Sequence, residues 1–138
     1  MRIFAKVFVM LFSASLLFCL ARPALGASVE VPRITVESLK KMMDDKADVL
    51  IIDVQPRSVY EKGHLRGAVS LPWTPMLTEA QVAGLPRHKP VVVYCDCGPG
   101  EADSASMGER LMELGFDDVR VLADPSIRGW KQLGYPMD

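Results

Sequence analysis

This chain of 138 residues is sparing with the side chains from which many sites are built: it has two histidines and three cysteines. His64 and His88 stand apart without ligand spacing, and two thiols alone do not complete a zinc site, so no metal centre is expected. No stripe of Lys and Arg runs through the sequence, which argues against nucleic acid as a partner. Internal repeats and low-complexity tracts are absent. So is an uninterrupted apolar run of the ~20 residues that a membrane-spanning helix needs.

The longest charge-free stretch, residues 7–21, follows Arg2 and Lys6 and is interrupted by Arg22-Pro23. Ala24-Leu25-Gly26 then supplies small residues at cleavage spacing. This is the layout of a secretory signal peptide over residues 1–26, cut after Gly26 or Ala27. It implies an exported protein, periplasmic or secreted, with no membrane span left after processing. An uncleaved anchor is the rival reading, and the early Arg22-Pro23 break disfavours it. Cys19 falls inside the leader behind Phe18, which is too bulky for lipoprotein cleavage, so that thiol is expected to be discarded. Removing Arg2, Lys6 and Arg22 leaves thirteen bases against seventeen acids, a net charge of −4. Residues 27–138 then suffice for one domain with a modest core.

Within that domain, short apolar runs alternate with helical patterns. Strands are expected at 34–35, 49–53, 68–71, 90–94 and 119–122, and helices at 36–44, 56–62, 79–83, 102–114 and 126–133. The alternation predicts an α/β fold: a five-stranded, mostly parallel sheet flanked by helices on both faces. Ligands in such sheets bind beyond the carboxyl ends of the strands.

One such end reads YCDCGPGEADSA, residues 94–105. Cys95 ends a buried strand ahead of the longest helix, where backbone N–H groups and the helix dipole favour a thiolate. Gly98 and Gly100 allow the main chain unusual dihedrals close to the sulfur, and Pro99 stiffens the loop while removing one N–H. Asp96, Glu101 and Asp103 oppose ionisation, unless Glu101 caps the helix and points along its axis. A bridge between Cys95 and Cys97 would close almost no loop, so the pair is explained better by chemistry than by stapling. Two readings of Cys97 stay open: it attacks a persulfide on Cys95, releasing sulfide and leaving a disulfide, or it is a plain loop residue packed inward. An inert, buried strand-end cysteine is the bland reading of Cys95.

Residues 51–72, IIDVQPRSVYEKGHLRGAVSLP, closely resemble the N-terminal signature of rhodanese-like domains, through Asp53, Tyr60, Gly63-His64, Gly67-Ala68 and Pro72. VVVYC at 91–95 resembles the strand that carries that family's sulfur-accepting cysteine. LMELGFDDVRVL at 111–122 and GWKQLGYP at 129–136 resemble its C-terminal portion. The resemblance implies sulfur transfer: Cys95 would take a sulfane sulfur from a small donor, thiosulfate or a persulfide, and pass it to a thiol or other nucleophilic acceptor. It implies no metal or organic cofactor. The substrate would be held by residues 96–101, namely Asp96, Cys97, Gly98, Pro99, Gly100 and Glu101.

Two departures matter. The family's loop arginine, followed by Ser or Thr, is replaced by Gly100 and Glu101, and Arg128 is the candidate to stand in for it. The two glycines usual before the closing helix are missing from LADPSIRGW, residues 122–130. Asp53 and His64 are expected in support, Asp53 binding backbone N–H groups or Arg57, and His64 holding a turn. Arg57 and Arg66 are read as exposed-face arginines, and Trp73 and Trp130 as core or rim aromatics. Besides sulfur transfer, a non-catalytic binding module and a thiol–disulfide protein using Cys95 and Cys97 remain open. Phosphatase or arsenate reductase chemistry is disfavoured, because it needs a cationic clamp where this loop has acids.

Overall fold

A computed structural model describes residues 29–138, and the leader reading and the fate of Cys19 lie outside them. The elements are β1 (Arg33–Ile34), α1 (Val36–Asp44), β2 (Leu50–Asp53), α2 (Arg57–Tyr60), β3 (Val69–Ser70), α3 (Glu79–Val82), β4 (Pro90–Tyr94), α4 (Ala102–Glu113), β5 (Asp118–Leu122) and α5 (Ser126–Gln132). They form a five-stranded sheet in the order β1-β5-β4-β2-β3, with every pairing parallel.

β4 is the central strand. It is bonded to β2 with Ile52 opposite Val93, and to β5 with Val93 opposite Val121. Its valines form a continuous apolar run because both faces of the sheet are covered. On one face Ile52, Val91, Val93, Val119 and Val121 pack with Met107 and Leu111 of α4 and with Val82 of α3. On the other, Ile51, Val92, Tyr94 and Leu122 meet Leu39 of α1 and Ile127 and Trp130 of α5. Trp130 is core, its indole N–H donating to the Pro136 carbonyl at 3.0 Å, whereas Trp73 is 43% exposed at the rim. Among the described residues no helix is long and apolar enough to cross a membrane.

Local signals explain most boundaries. Thr35, expected in the edge strand, instead caps α1: its hydroxyl accepts the Ser38 N–H at 3.2 Å, so the strand ends one residue earlier. Helix α2 is shorter than the expected 56–62, since the chain turns at Lys62 and Gly63 toward His64.

A buried polar network closes the carboxyl ends of β2 and β4. The Tyr94 hydroxyl donates to Asp53 Oδ2 at 2.6 Å and accepts the Leu65 N–H at 3.0 Å. Asp53 Oδ1 also accepts the backbone N–H of Gln55 at 2.8 Å. Burial, and then the neighbouring Asp53 carboxylate, raise the Tyr94 pKa well above its ordinary value, so the hydroxyl stays protonated and able to donate.

Farther along, Asp138 accepts the Gly67 N–H at 2.9 Å and pairs with Arg66 at 3.2 Å. The Gly67 bond first, and Arg66 after it, lower the Asp138 pKa from its ordinary 3.8.

Tyr94→Phe is expected to cost about 1–3 kcal/mol in urea denaturation, because it strands the Leu65 N–H and takes one donor from Asp53. Asp138→Asn is expected to lower the thermal midpoint at neutral pH. A depressed folded pKa gives stability that is present above the ordinary value and lost as pH falls through the depressed one. The gap between wild type and variant should therefore close as pH is taken below 3.8.

Candidate active site

Cys95 directly follows β4 and is 3% exposed. Its sulfur is joined to that of Cys97 in a disulfide, with the two Cα atoms 5.4 Å apart. The chain bends at once after the strand. The Ser126 hydroxyl holds the Cys95 carbonyl at 2.8 Å, and Gly98 and Gly100 sit at φ +80° and +88°, the left-handed region that glycine enters without steric cost. Pro99 and Gly100 form the exposed tip. Among the described residues the N–H groups of Cys97, Gly98 and Gly100 have no acceptor. The first turn of α4 adds further free N–H groups, as every helix start does. That turn abuts the sulfur: the buried Ser104 hydroxyl lies 3.4 Å from Cys95 Sγ and donates to the Glu101 carbonyl at 3.1 Å.

An open depression of about 300 Å³ lies over this corner, lined by Cys95, Asp96, Cys97 and Asp103 on one side and Gln55, Pro56 and Val59 on the other. Two of its lining residues are thus acidic. Asp96 is partly neutralised by Arg128, whose Nε lies 2.9 Å from Asp96 Oδ1. The same guanidinium pairs with Asp124 at 3.0 Å. Arg128 therefore does reach the loop, but with its charge shared between two carboxylates.

Glu101 departs from the expected cap. It occupies the position before α4 at φ 46° and ψ 45°, and its side chain makes no capping bond. The carboxylate, 4% exposed as a residue, turns away from the depression: Oε1 accepts the Asp124 N–H at 2.6 Å and Oε2 pairs with Arg33 Nε at 3.0 Å. Its two oxygens are occupied by β1 and by the loop after β5, so Glu101 does not face a substrate in the depression.

The supporting residues divide. Asp53 binds backbone N–H and the Tyr94 and Gln55 side chains rather than Arg57, which pairs with Glu61 at 3.3 Å. His64 holds its turn: Nδ1 is 3.0 Å from the Tyr60 carbonyl, and its ring stacks on the Tyr60 ring at 3.7 Å. Neither lines the depression.

Sequence reading missed Ser104, Ser126, Tyr94 and Gln55. Ser104 had a signal, a small polar residue in the first turn of the helix that follows the cysteine loop. Ser126 had none, because its contact crosses from the last loop. Among the described residues no cluster of three or more His, Cys, Asp and Glu is placed to hold a metal ion.

Comparison with known proteins supplies the family. A family model for the rhodanese-like domain matches residues 35–133. Thiosulfate sulfurtransferase GlpE of Coxiella burnetii is 34% identical over 77 residues, covering 56% of this chain and 67% of that protein. The protein of the same name from Pseudoalteromonas translucida is 30% identical over 91 residues, covering 63% of this chain and 77% of its own. The solution structure of the rhodanese-like domain of the Alr3790 protein from Anabaena superposes with a TM-score of 0.64 at 27% identity, covering 78% of each chain. With the cysteine loop at the carboxyl end of a central parallel strand and the match spanning nearly all the described residues, the chain belongs to the rhodanese-like domain family.

Proposed function

We propose that this protein is a sulfurtransferase or persulfide carrier that works through a persulfide on Cys95. The observation that carries the reading is the seat of that sulfur, at the carboxyl end of the central strand and 3.4 Å from a hydroxyl in the first turn of α4. The relatives named thiosulfate sulfurtransferase support the same class of chemistry. The working form is the dithiol, since the bridged pair offers no nucleophile. The Cys95 thiolate attacks the sulfane sulfur of the donor, whose own sulfur bond breaks to release sulfite or a thiol. The outer sulfur then passes to an acceptor thiolate. The helix start favours the thiolate by about 0.3–1 kcal/mol.

The acidic walls select the donor. Thiosulfate is a dianion, and Asp96 and Asp103 repel it, while Arg128 is shared between Asp96 and Asp124. A neutral or protein-bound persulfide meets less repulsion, so it is the better donor. We place the protein outside the cytoplasm on the strength of residues 1–26, which read as a cleaved leader.

Intact-mass measurement of the reduced protein after incubation with a sulfur donor should show the gain of one sulfur. Cys95→Ser should show none, and a wild type that never gains it would instead favour a binding module. Asp96→Asn should speed uptake from thiosulfate and Arg128→Ala should slow it, each by about fivefold, the rate equivalent of ~1 kcal/mol for one exposed charge near 4 Å. Protein recovered from the exported fraction of expressing cells should begin at Ala27 or Ser28.

A further inference from the structure

We infer that Cys97 is a resolving thiol: it discharges the Cys95 persulfide as hydrogen sulfide and leaves the Cys95–Cys97 disulfide, so that the domain reduces sulfane sulfur to sulfide at the expense of a dithiol. The inference rests on the persulfide reading above and adds a second reaction to it.

The geometry of the loop carries it. Two residues along an extended strand advance the chain by about 6.5–7 Å, whereas the Cα atoms of Cys95 and Cys97 are 5.4 Å apart, within the usual range for bridged cysteines. The contraction lies in the backbone of Asp96, and the loop around it is anchored on both sides. The Ser126 hydroxyl fixes the Cys95 carbonyl, Gly98 turns the chain through the left-handed region, and Glu101 ties the far end of the loop to Arg33 and the Asp124 N–H. These contacts do not involve either sulfur. They anchor both ends of the loop within which the two sulfurs lie in bonding reach of each other.

The surroundings favour discharge over storage. Persulfides ionise readily, and the outer sulfur of this one would enter a depression walled by Asp96 and Asp103. Converting that anion to a neutral bridge and a departing sulfide removes like-charge repulsion. Cys97 is partly exposed where Cys95 is buried, which leaves it accessible to a reductant.

The steps balance. The Cys95 thiolate takes the outer sulfur of thiosulfate and sulfite leaves. The Cys97 thiol then gives its proton to the outer sulfur as its own sulfur attacks Cys95 Sγ, the Sγ–S bond breaks, and the outer sulfur departs as hydrosulfide, which solvent protonates to hydrogen sulfide. Both cysteines are oxidised by one electron each, and the sulfane sulfur is reduced by two. An external dithiol, by exchange at the partly exposed Cys97, restores both thiols and becomes a disulfide itself.

The test is a single turnover under anaerobic conditions. The protein is reduced, freed of reductant and incubated with excess thiosulfate, and sulfide, sulfite, free thiols and intact mass are read together. Wild type should release close to one sulfide per chain, lose both thiols and retain no added sulfur. Cys97→Ser and Cys97→Ala should keep the added sulfur and release more than ~10-fold less sulfide, since the attack no longer has an intramolecular nucleophile. Wild type that keeps the added sulfur, and releases no more sulfide than the two variants, would overturn the resolving role and leave the persulfide on Cys95 standing. Failure of wild type and both variants to take up sulfur or release sulfide from thiosulfate, and equally from a small neutral persulfide offered in parallel, would overturn the persulfide reading and this inference with it.

Discussion

The buried carboxylate of Glu101 is the constraint on which the rest of the cysteine loop depends. A charge held out of water must find partners, and this one finds a guanidinium on the edge strand and a main-chain N–H in the loop after β5. Three parts of the chain far apart in sequence are thereby drawn to one point beside α4. The residue bears a left-handed backbone to get there, a conformation costing on the order of 1–3 kcal/mol for a side chain of its kind. Its withdrawal also changes the electrostatics: of the three acids that crowd the sulfur in sequence, only Asp96 and Asp103 line the depression, and Asp96 is shared with Arg128.

Beneath the loop, a buried polar network fixes the carboxyl ends of the two middle strands. Tyr94 is the residue immediately before the cysteine, and its hydroxyl is held between Asp53 and the Leu65 N–H. The last residue of the central strand is therefore pinned from β2 and from the turn that follows α2. A sulfur one residue farther on inherits that fixity. The Ser126 bond to the Cys95 carbonyl extends the same control past the end of the strand.

Much of this was legible in the amino-acid order, and what was not shares one cause. Strand β4 and helix α1 fall where hydrophobic periodicity puts them, because burial of a face is a local pattern written every second or every third to fourth residue. The cysteine at a strand end, the paired glycines and the turn held by His64 were local as well. The readings that failed concern partners distant along the chain. Glu101 looks like a helix cap until Arg33, 68 residues earlier, comes within reach. Arg128 does lie against the loop, but its division between Asp96 and Asp124 joins two segments that the sequence keeps 28 residues apart.

The turn at Gly98 and Gly100 has a consequence for how such a domain can change over generations. Nothing lies within 4 Å of the place where a side chain would begin at either position, so what these residues contribute is a bend and not a fit. A bend encoded in the main chain is indifferent to the identity of its neighbours. Asp96 and Pro99 could be exchanged for other residues while the strand end and the helix start keep their places. The lining of the depression can drift here on an inherited frame.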